Sequence, residues 1–420
     1  MLPMKLIPSM SLLAMASVVS LPVASQPPAQ YPEAVGMSAI RLQRVDDFVA
    51  RLGAEGRLAG AVTVVARRGQ IVSLKAHGFA DIEAKRPMRT DDIFQVQSMT
   101  KPIATVAALM LLEEGRFLLS DPVAKFLPEF RDMKVAVPRT DAPDGFVLVP
   151  AERAITIHDL LTHKAGFVGL APSTRPAAAL RRKAVQSLPP DGDFTLEEYS
   201  RNLAASPLDA QPGAAFSYGP ATIVLGRLLE AVSGRTLADF LRDRIFKPLG
   251  MTDTSFGVPV EKRSRVVPAY SWSQQQGLAK LPPDPLAPRF HSAGGNLFST
   301  AADYLRFCQM LLNSGELDGQ RLLSRKSIEL MTARHVDPIP IPFMPGQYFG
   351  LGVAVRKADG EAGLIGSPGA YGWGGGYSTY FRIDPQEKLI LLFLTQRVFS
   401  PASLELQYGF HNTVMQAISD

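Results

Sequence analysis

Phe94-Gln95-Val96-Gln97-Ser98-Met99-Thr100-Lys101, followed by Pro102-Ile103 and an apolar run to Glu114, decides how the rest of the chain is read. It holds the only Ser-x-x-Lys of the sequence. Pro102 to Glu114 reads as a buried helix closed by Gly115, with Pro102 in the first turn, where its missing N–H has no helical partner to lose. Ser98 then stands at or just before the helix N-terminus, and Lys101 lies one turn on. Residues three apart share a helix face, so amine and hydroxyl can meet. A serine hydroxyl becomes a competent nucleophile when a base within hydrogen-bond reach takes its proton. Lysine can be that base when burial or a neighbouring cation lowers its pKa. The free amides of the helix start offer a place for developing negative charge. Taken alone, the same residues also describe a serine cap followed by a surface lysine.

Two later stretches weigh against that plain alternative. Phe216-Ser217-Tyr218-Gly219-Pro220 precedes a helix from Ala221 to Val232, and a tyrosine there can place its hydroxyl in a cleft and relay a proton. Tyr371-Gly372-Trp373-Gly374-Gly375-Gly376-Tyr377 runs into a strand expected over Ser378 to Ile383. So many glycines weaken a strand, which points to close approach of something else to the backbone. An N–H at the end of such a run can serve as half of an oxyanion hole. A buried structural tyrosine, and a bulge or tight turn, are the plain readings of these two stretches.

The first 25 residues have the form of a secretory signal: Lys5, an apolar core from Leu12 to Leu21, and a small-residue Val23-Ala24-Ser25 cleavage site. The expected location is therefore periplasmic or secreted. No later segment approaches ~18 uninterrupted apolar residues, so no membrane span is expected. Formal net charge is +5, without a basic block or interleaved aromatics, which argues against nucleic acid. The single cysteine, Cys308, lies in an apolar helix and reads as a small core residue. The histidines show no metal-ligand spacing, and neither metal nor other cofactor is implied.

Residues 26–37 read as a linker, and Ser38 caps a helix to about Leu52. Gly60 to Ala66 and Ile71 to His77 read as a hairpin. Gly350 to Val355, Ser378 to Ile383 and Lys388 to Thr395 read as strands near the other end, before a helix from Leu404 to Ile418. Between the two ends, Thr156-x-x-Asp159, Thr195-x-x-Glu198, Thr236-x-x-Asp239 and Thr300-x-x-Asp303 look like helix-opening capping boxes. The stretches 131–154, 167–193 and 257–290 read as long loops. The expected fold is α+β: an antiparallel sheet built from both termini (38–97 and 335–420) with an inserted, mainly helical lobe (98–334). Ser98 would sit at the cleft between them.

Ser98/Lys101, Tyr218 and the glycine strand, in this order, resemble the β-lactamase-like serine hydrolases: class C β-lactamases, DD-peptidases and the esterases built on the same fold. The resemblance runs from about 38 to 418, with further echoes in Leu160-Leu161-Thr162-His163-Lys164-Ala165-Gly166, Pro248-Leu249-Gly250-Met251 and Ser292-Ala293-Gly294-Gly295. It implies a β-lactamase/transpeptidase-like fold, acylation of Ser98 assisted by Lys101, and proton transfer shared with Tyr218. It also implies an oxyanion hole from the N–H groups of Ser98 and Gly376, with Trp373, Gly374 and Gly375 along the substrate. His163 reads as a structural histidine at a turn rather than the partner of a Ser–His pair.

Two departures bear on substrate. The family's Tyr-Ser/Ala-Asn is Tyr218-Gly219-Pro220 here, and its Lys-Thr/Ser-Gly is Trp373-Gly374-Gly375. The amide that grips an acylamino group and the cation that holds a carboxylate are both missing, and Trp-Gly-Gly looks like the esterase branch. The expected activity is cleavage of short-acyl carboxylic esters. A β-lactamase or DD-peptidase acting on amides is the alternative enzyme, and a penicillin-binding or interaction module the alternative without catalysis. The partner is a small-molecule ester or amide, and oligomeric state is left open.

Overall fold

Gly60–Arg67 (β1) and Gln70–Asp81 (β2) form the expected hairpin, turning through Arg68 and Gly69, both at positive φ. The computed structural model describes residues 31–169, 175–189, 192–286, 288–341, 344–358 and 363–420. The signal segment expected over 1–25 lies outside them. Six further strands complete the main sheet: Arg86–Pro87 (β3), Gln347–Phe349 (β4), Ala354–Arg356 (β5), Tyr371–Gly374 (β6), Tyr380–Asp384 (β7) and Leu389–Leu394 (β8). Their order is β4-β5-β6-β7-β8-β1-β2-β3, with antiparallel neighbours throughout. The two ends of the chain meet where β1 pairs β8, with Val62 opposite Leu394.

Both faces of this sheet are covered, and side-chain parity divides them. Ala61 and Val65 of β1 and Leu389, Leu391 and Phe393 of β8 pack against Ala39–Ala54 (α1) and, at the other end of the chain, Leu404–Met415. Their neighbours Val62, Val64, Ile390, Leu392 and Leu394 face the larger core, which includes Thr100–Glu113 (α2), Ala221–Ser233 (α3) and Ala301–Leu312 (α4). The C-terminal helix Leu404–Met415 is α5. Strands covered on both sides read as continuous apolar runs, which is why β8 is Leu-Ile-Leu-Leu-Phe-Leu. Cys308 is fully buried in α4, as its apolar setting suggests.

All four Thr-led segments begin helices with the threonine oxygen accepting an N–H three residues on. Other expectations differ from the structure. Gly350 to Val355 is a chain reversal between β4 and β5, not one strand: Gly352 has φ +71, and a Cβ on Gly350 would meet the Met331 carbonyl. The glycine stretch is itself strand β6, and the chain then turns through Gly375 to Ser378 before β7 begins at Tyr380. The stretches 131–154 and 257–290 each contain a two-stranded ribbon, Lys134–Pro138 with Phe146–Pro150 and Tyr270–Ser273 with Gly277–Lys280. Pro176–Gln186 is a helix within 167–193. The end of the expected linker is packed down, with Val35 and Met37 in the core and the Arg67 guanidinium donating to the Val35 and Gly36 carbonyls. Among the described residues no helix is long and apolar enough to cross a membrane.

Candidate active site

The segment that carries Ser98 is pinned before α2 begins. Phe94 pairs with Ser299 and Gln95 with Phe298, and Val96 N–H donates to the Leu297 carbonyl. Gln97 then takes φ +50, an uncommon backbone state for a side chain of its size, and Ser98 follows within a 3₁₀ turn, Gln97–Met99. The Thr100 hydroxyl donates to the Gln97 carbonyl, and Thr379 Oγ1 and Tyr304 OH donate to the carbonyls of Val96 and Met99. Every carbonyl from Val96 to Ser98 accepts a hydrogen bond within the protein. Such over-determination is what holds a strained turn in place.

Helix α2 begins at Thr100, two residues earlier than Pro102 suggests, and places Lys101 one turn beyond the serine. Lys101 is 3% exposed, whereas Ser98 is half-buried and faces a cavity. Lys101 Nζ donates to Ser98 Oγ at 3.1 Å and to the Gly294 carbonyl at 2.6 Å, and it lies 4.7 Å from the centre of the Tyr218 ring. The surface-lysine reading of this Ser-x-x-Lys is therefore wrong here. Tyr218, just ahead of α3, receives a hydrogen bond from Trp373 Nε1 at 3.1 Å. Ser98, Lys101, Tyr218 and Trp373 thus meet at one place, although they come from separate parts of the chain.

Gly374, Gly375 and Gly376 line the same cavity as Ser98. The close approach expected from the glycines is real, and its site is Gly375: a Cβ there would lie 2.4 Å from the Val96 carbonyl and against Thr379 Oγ1. At Gly376 an added Cβ would make ordinary contacts with Gln97 at 3.7 Å. Among the described residues, neither the Ser98 nor the Gly376 backbone N–H has a hydrogen-bond acceptor. Two unused amides beside one serine hydroxyl are the raw material of an oxyanion hole.

His163 does not pair with the serine. It is 1% exposed at φ +55, and its ring packs on Tyr218, Phe216 and Phe349 with centroids 4.8, 5.7 and 5.6 Å away. Burial, with the Lys101 charge second, lowers its pKa to about 3, so the imidazole is neutral. It is the wall behind Tyr218, as a turn histidine should be. Two features of the site are not foreseeable from sequence. One is the Gly294 carbonyl as the second anchor of Lys101, although Ser292-Ala293-Gly294-Gly295 marks that loop. The other is the bond from Trp373 to Tyr218, for which no sequence signal exists.

A sequence model described as Beta-lactamase matches residues 45–411. The chain belongs to the beta-lactamase family. Protein Rv1367c of Mycobacterium tuberculosis is 37% identical over 81% of this chain and 86% of its own length. Esterase EstB of Burkholderia gladioli is 32% identical over 90% of this chain and 95% of its own. Among solved structures, EstCE1, described as a hydrolase with promiscuous acyltransferase activity, superposes with a TM-score of 0.75 at 27% identity, covering 91% of this chain and 99% of that one. The antiparallel sheet with its helices is the fold of this family. Trp373 is 7% exposed, and its indole N–H is bonded to Tyr218.

Proposed function

We propose that this serine hydrolase cleaves short-acyl carboxylic esters through an acyl-enzyme on Ser98. The observation that carries the reading is the buried Lys101, whose amine reaches both Ser98 Oγ and the face of Tyr218. Ser98 Oγ attacks the ester carbonyl as its proton passes to the Lys101–Tyr218 pair. The oxyanion that forms is met by the N–H groups of Ser98 and Gly376. The alcohol leaves with the proton, and water then releases the acid by the reverse path.

Preference for esters over lactams and peptides is supported by Trp373, a neutral residue whose indole N–H is already bonded. Short acyl chains suit a cavity of about 270 Å³. The relatives named esterase and hydrolase point the same way. The promiscuous acyltransferase activity of EstCE1 also supports a second use of the same intermediate, in which an alcohol replaces water as acyl acceptor.

The test is hydrolysis of p-nitrophenyl butyrate and nitrocefin by wild type and Ser98→Ala in parallel. Ester cleavage lost in Ser98→Ala, with nitrocefin hardly turned over, supports the reading. Faster nitrocefin turnover moves the protein to the lactam-processing branch. No Ser98-dependent turnover of either favours a binding module.

A further inference from the structure

The cavity at Ser98 does not end at the glycine strand but continues over Gly372 and Gly374 to Arg382 and Tyr408. In the register of β6 and β7, Gly372 lies opposite Arg382 and Gly374 opposite Tyr380. The two glycines therefore share a sheet face with those two side chains, while Trp373 points to the other face. Leu404, Gln407 and Tyr408 of α5 form the facing wall, at helix spacing. With no side chain at 372 or 374, a slot stays open between strand and helix. A Cβ on Gly374 would come within 3.1 Å of the Gln407 amide.

Arg382 forms the floor of this slot and is only 3% exposed. Its Nε donates to Tyr380 OH at 3.2 Å, Nη1 to the Ala354 and Ala370 carbonyls at 3.3 and 3.4 Å, and Nη2 to Gln347 Oε1 at 3.1 Å. All four acceptors are neutral, and a guanidinium has five N–H groups, so one on Nη2 is left over among the described contacts. Among the described residues no aspartate or glutamate lines the cavity. Asp384, further along the same strand, accepts instead from the N–H groups of Ser367, Gln386 and Glu387. His411, bonded to Tyr380 OH, supplies no counter-charge either: burial first, and the Arg382 charge next, lower its pKa to about 4.

Other buried arginines are treated differently. Arg67 pairs with Glu387 at 2.6 Å and Asp420 at 2.8 Å, and Arg306 with Asp318 at 2.6 Å. Arg397 also lacks a carboxylate among the described contacts and lies over the Trp272 ring at 4.5 Å, as Arg382 lies over the Tyr380 ring at 5.8 Å, but Arg382 and not Arg397 lines the cavity at Ser98. A desolvated cation with neutral partners, facing a cavity that opens on a nucleophile, is a site for an anion.

We propose that the substrate carries an anionic group of the carboxylate class, which passes down this slot to Arg382 while the ester carbonyl lies at Ser98. The inference rests on the ester-hydrolase reading and narrows it to esters bearing a free acid, on either the acyl or the alcohol side. The slot replaces a cation at the strand edge with one on the neighbouring strand.

The test compares matched esters, each corrected for its uncatalysed rate. Mono-4-nitrophenyl glutarate against 4-nitrophenyl pentanoate puts the acid on the acyl side, and 4-carboxyphenyl butyrate against phenyl butyrate puts it on the alcohol side. Wild type is expected to favour the acid in at least one pair by about tenfold or more in kcat/KM at pH 7, as a charge-assisted contact provides. The preference should vanish in Arg382→Met and survive in part in Arg382→Lys. Each ratio is internal to one variant, so a lower folded fraction does not alter it. If the neutral ester wins in both pairs, or Arg382→Met keeps the preference for the acid, the inference is overturned while esterase activity stands. If no pair is hydrolysed in a Ser98-dependent way, the ester reading itself fails and the inference falls with it.

Discussion

Trp373 Nε1 donates a 3.1 Å hydrogen bond to the Tyr218 hydroxyl, and the two rings lie 5.4 Å apart at an interplanar angle of 47°. The indole therefore fixes the orientation of the Tyr218 phenol, to which the proposed mechanism gives a share of the proton transfer. Trp373→Phe keeps much of the ring packing, including the edge contact with Phe349, and removes the donor. It should lower kcat on p-nitrophenyl butyrate by roughly threefold to tenfold, the worth of one net hydrogen bond, and leave KM nearly unchanged. Steady-state kinetics decide; unaltered kcat would mean the bond has no part in catalysis.

Tyr218→Phe removes the hydroxyl but keeps the contacts with His163 and the Lys101 amine. Loss of a general acid–base group predicts a fall in kcat/KM of about 10²-fold or more. Thermal unfolding should change little, because the ring is retained. A variant with near-wild-type turnover would assign the whole proton transfer to Lys101.

Gly375 and Gly376 should respond to alanine in different ways. The added methyl of Gly375→Ala meets the Val96 carbonyl at 2.4 Å and the Thr379 side chain, and both belong to rigid neighbours. Overpacking of this kind costs about 1–3 kcal/mol, read by chemical denaturation, and it would push β6 away from the serine turn. Gly376→Ala, with contacts at 3.7 Å, should stay close to wild type in stability. Equal stability of the two variants would contradict the tight approach at Gly375.

Acid should destabilise the fold through its neutral histidines. Burial holds His163 at about 3 and His411 at about 4, below the ~6.5 of an unfolded histidine. The unfolded chain therefore takes up protons that the folded chain refuses. Stability is full above about pH 6.5 and falls as the pH drops towards the folded values, by roughly 2 kcal/mol per histidine at pH 5. In His163→Asn, a residue that tolerates the positive φ, the decline in unfolding free energy between pH 7 and 5 should be shallower. A slope identical to wild type would show that His163 is protonated in the folded state.

Much of this arrangement is legible in the sequence because it is local. Ser-x-x-Lys before an apolar helix, threonine caps, and the Arg68-Gly69 turn are set by chemistry within a few residues. Parity in β8 is not legible, because a strand buried on both faces has no polar alternation. The ribbon of Lys134–Pro138 with Phe146–Pro150 reads as loop, since its turn is long and only Gly145 marks it by conformation. At the site, Trp373 and Gly294 stand out by their motifs, but their contacts join positions far apart in the chain. Arg382 carries no signal at all. It reads as one charge in a strand, and its meaning comes from Gly372 opposite it and the neutral groups that surround it.

The proposed mechanism turns on acylation of Ser98. Intact-protein and peptide mass spectrometry, after rapid acid quench of a reaction with p-nitrophenyl butyrate, tests it most directly. A butyryl adduct is predicted on the peptide containing Ser98, present in wild type, enriched in Tyr218→Phe if deacylation slows, and absent in Ser98→Ala. An adduct elsewhere, or ester hydrolysis that persists in Ser98→Ala, would contradict the account.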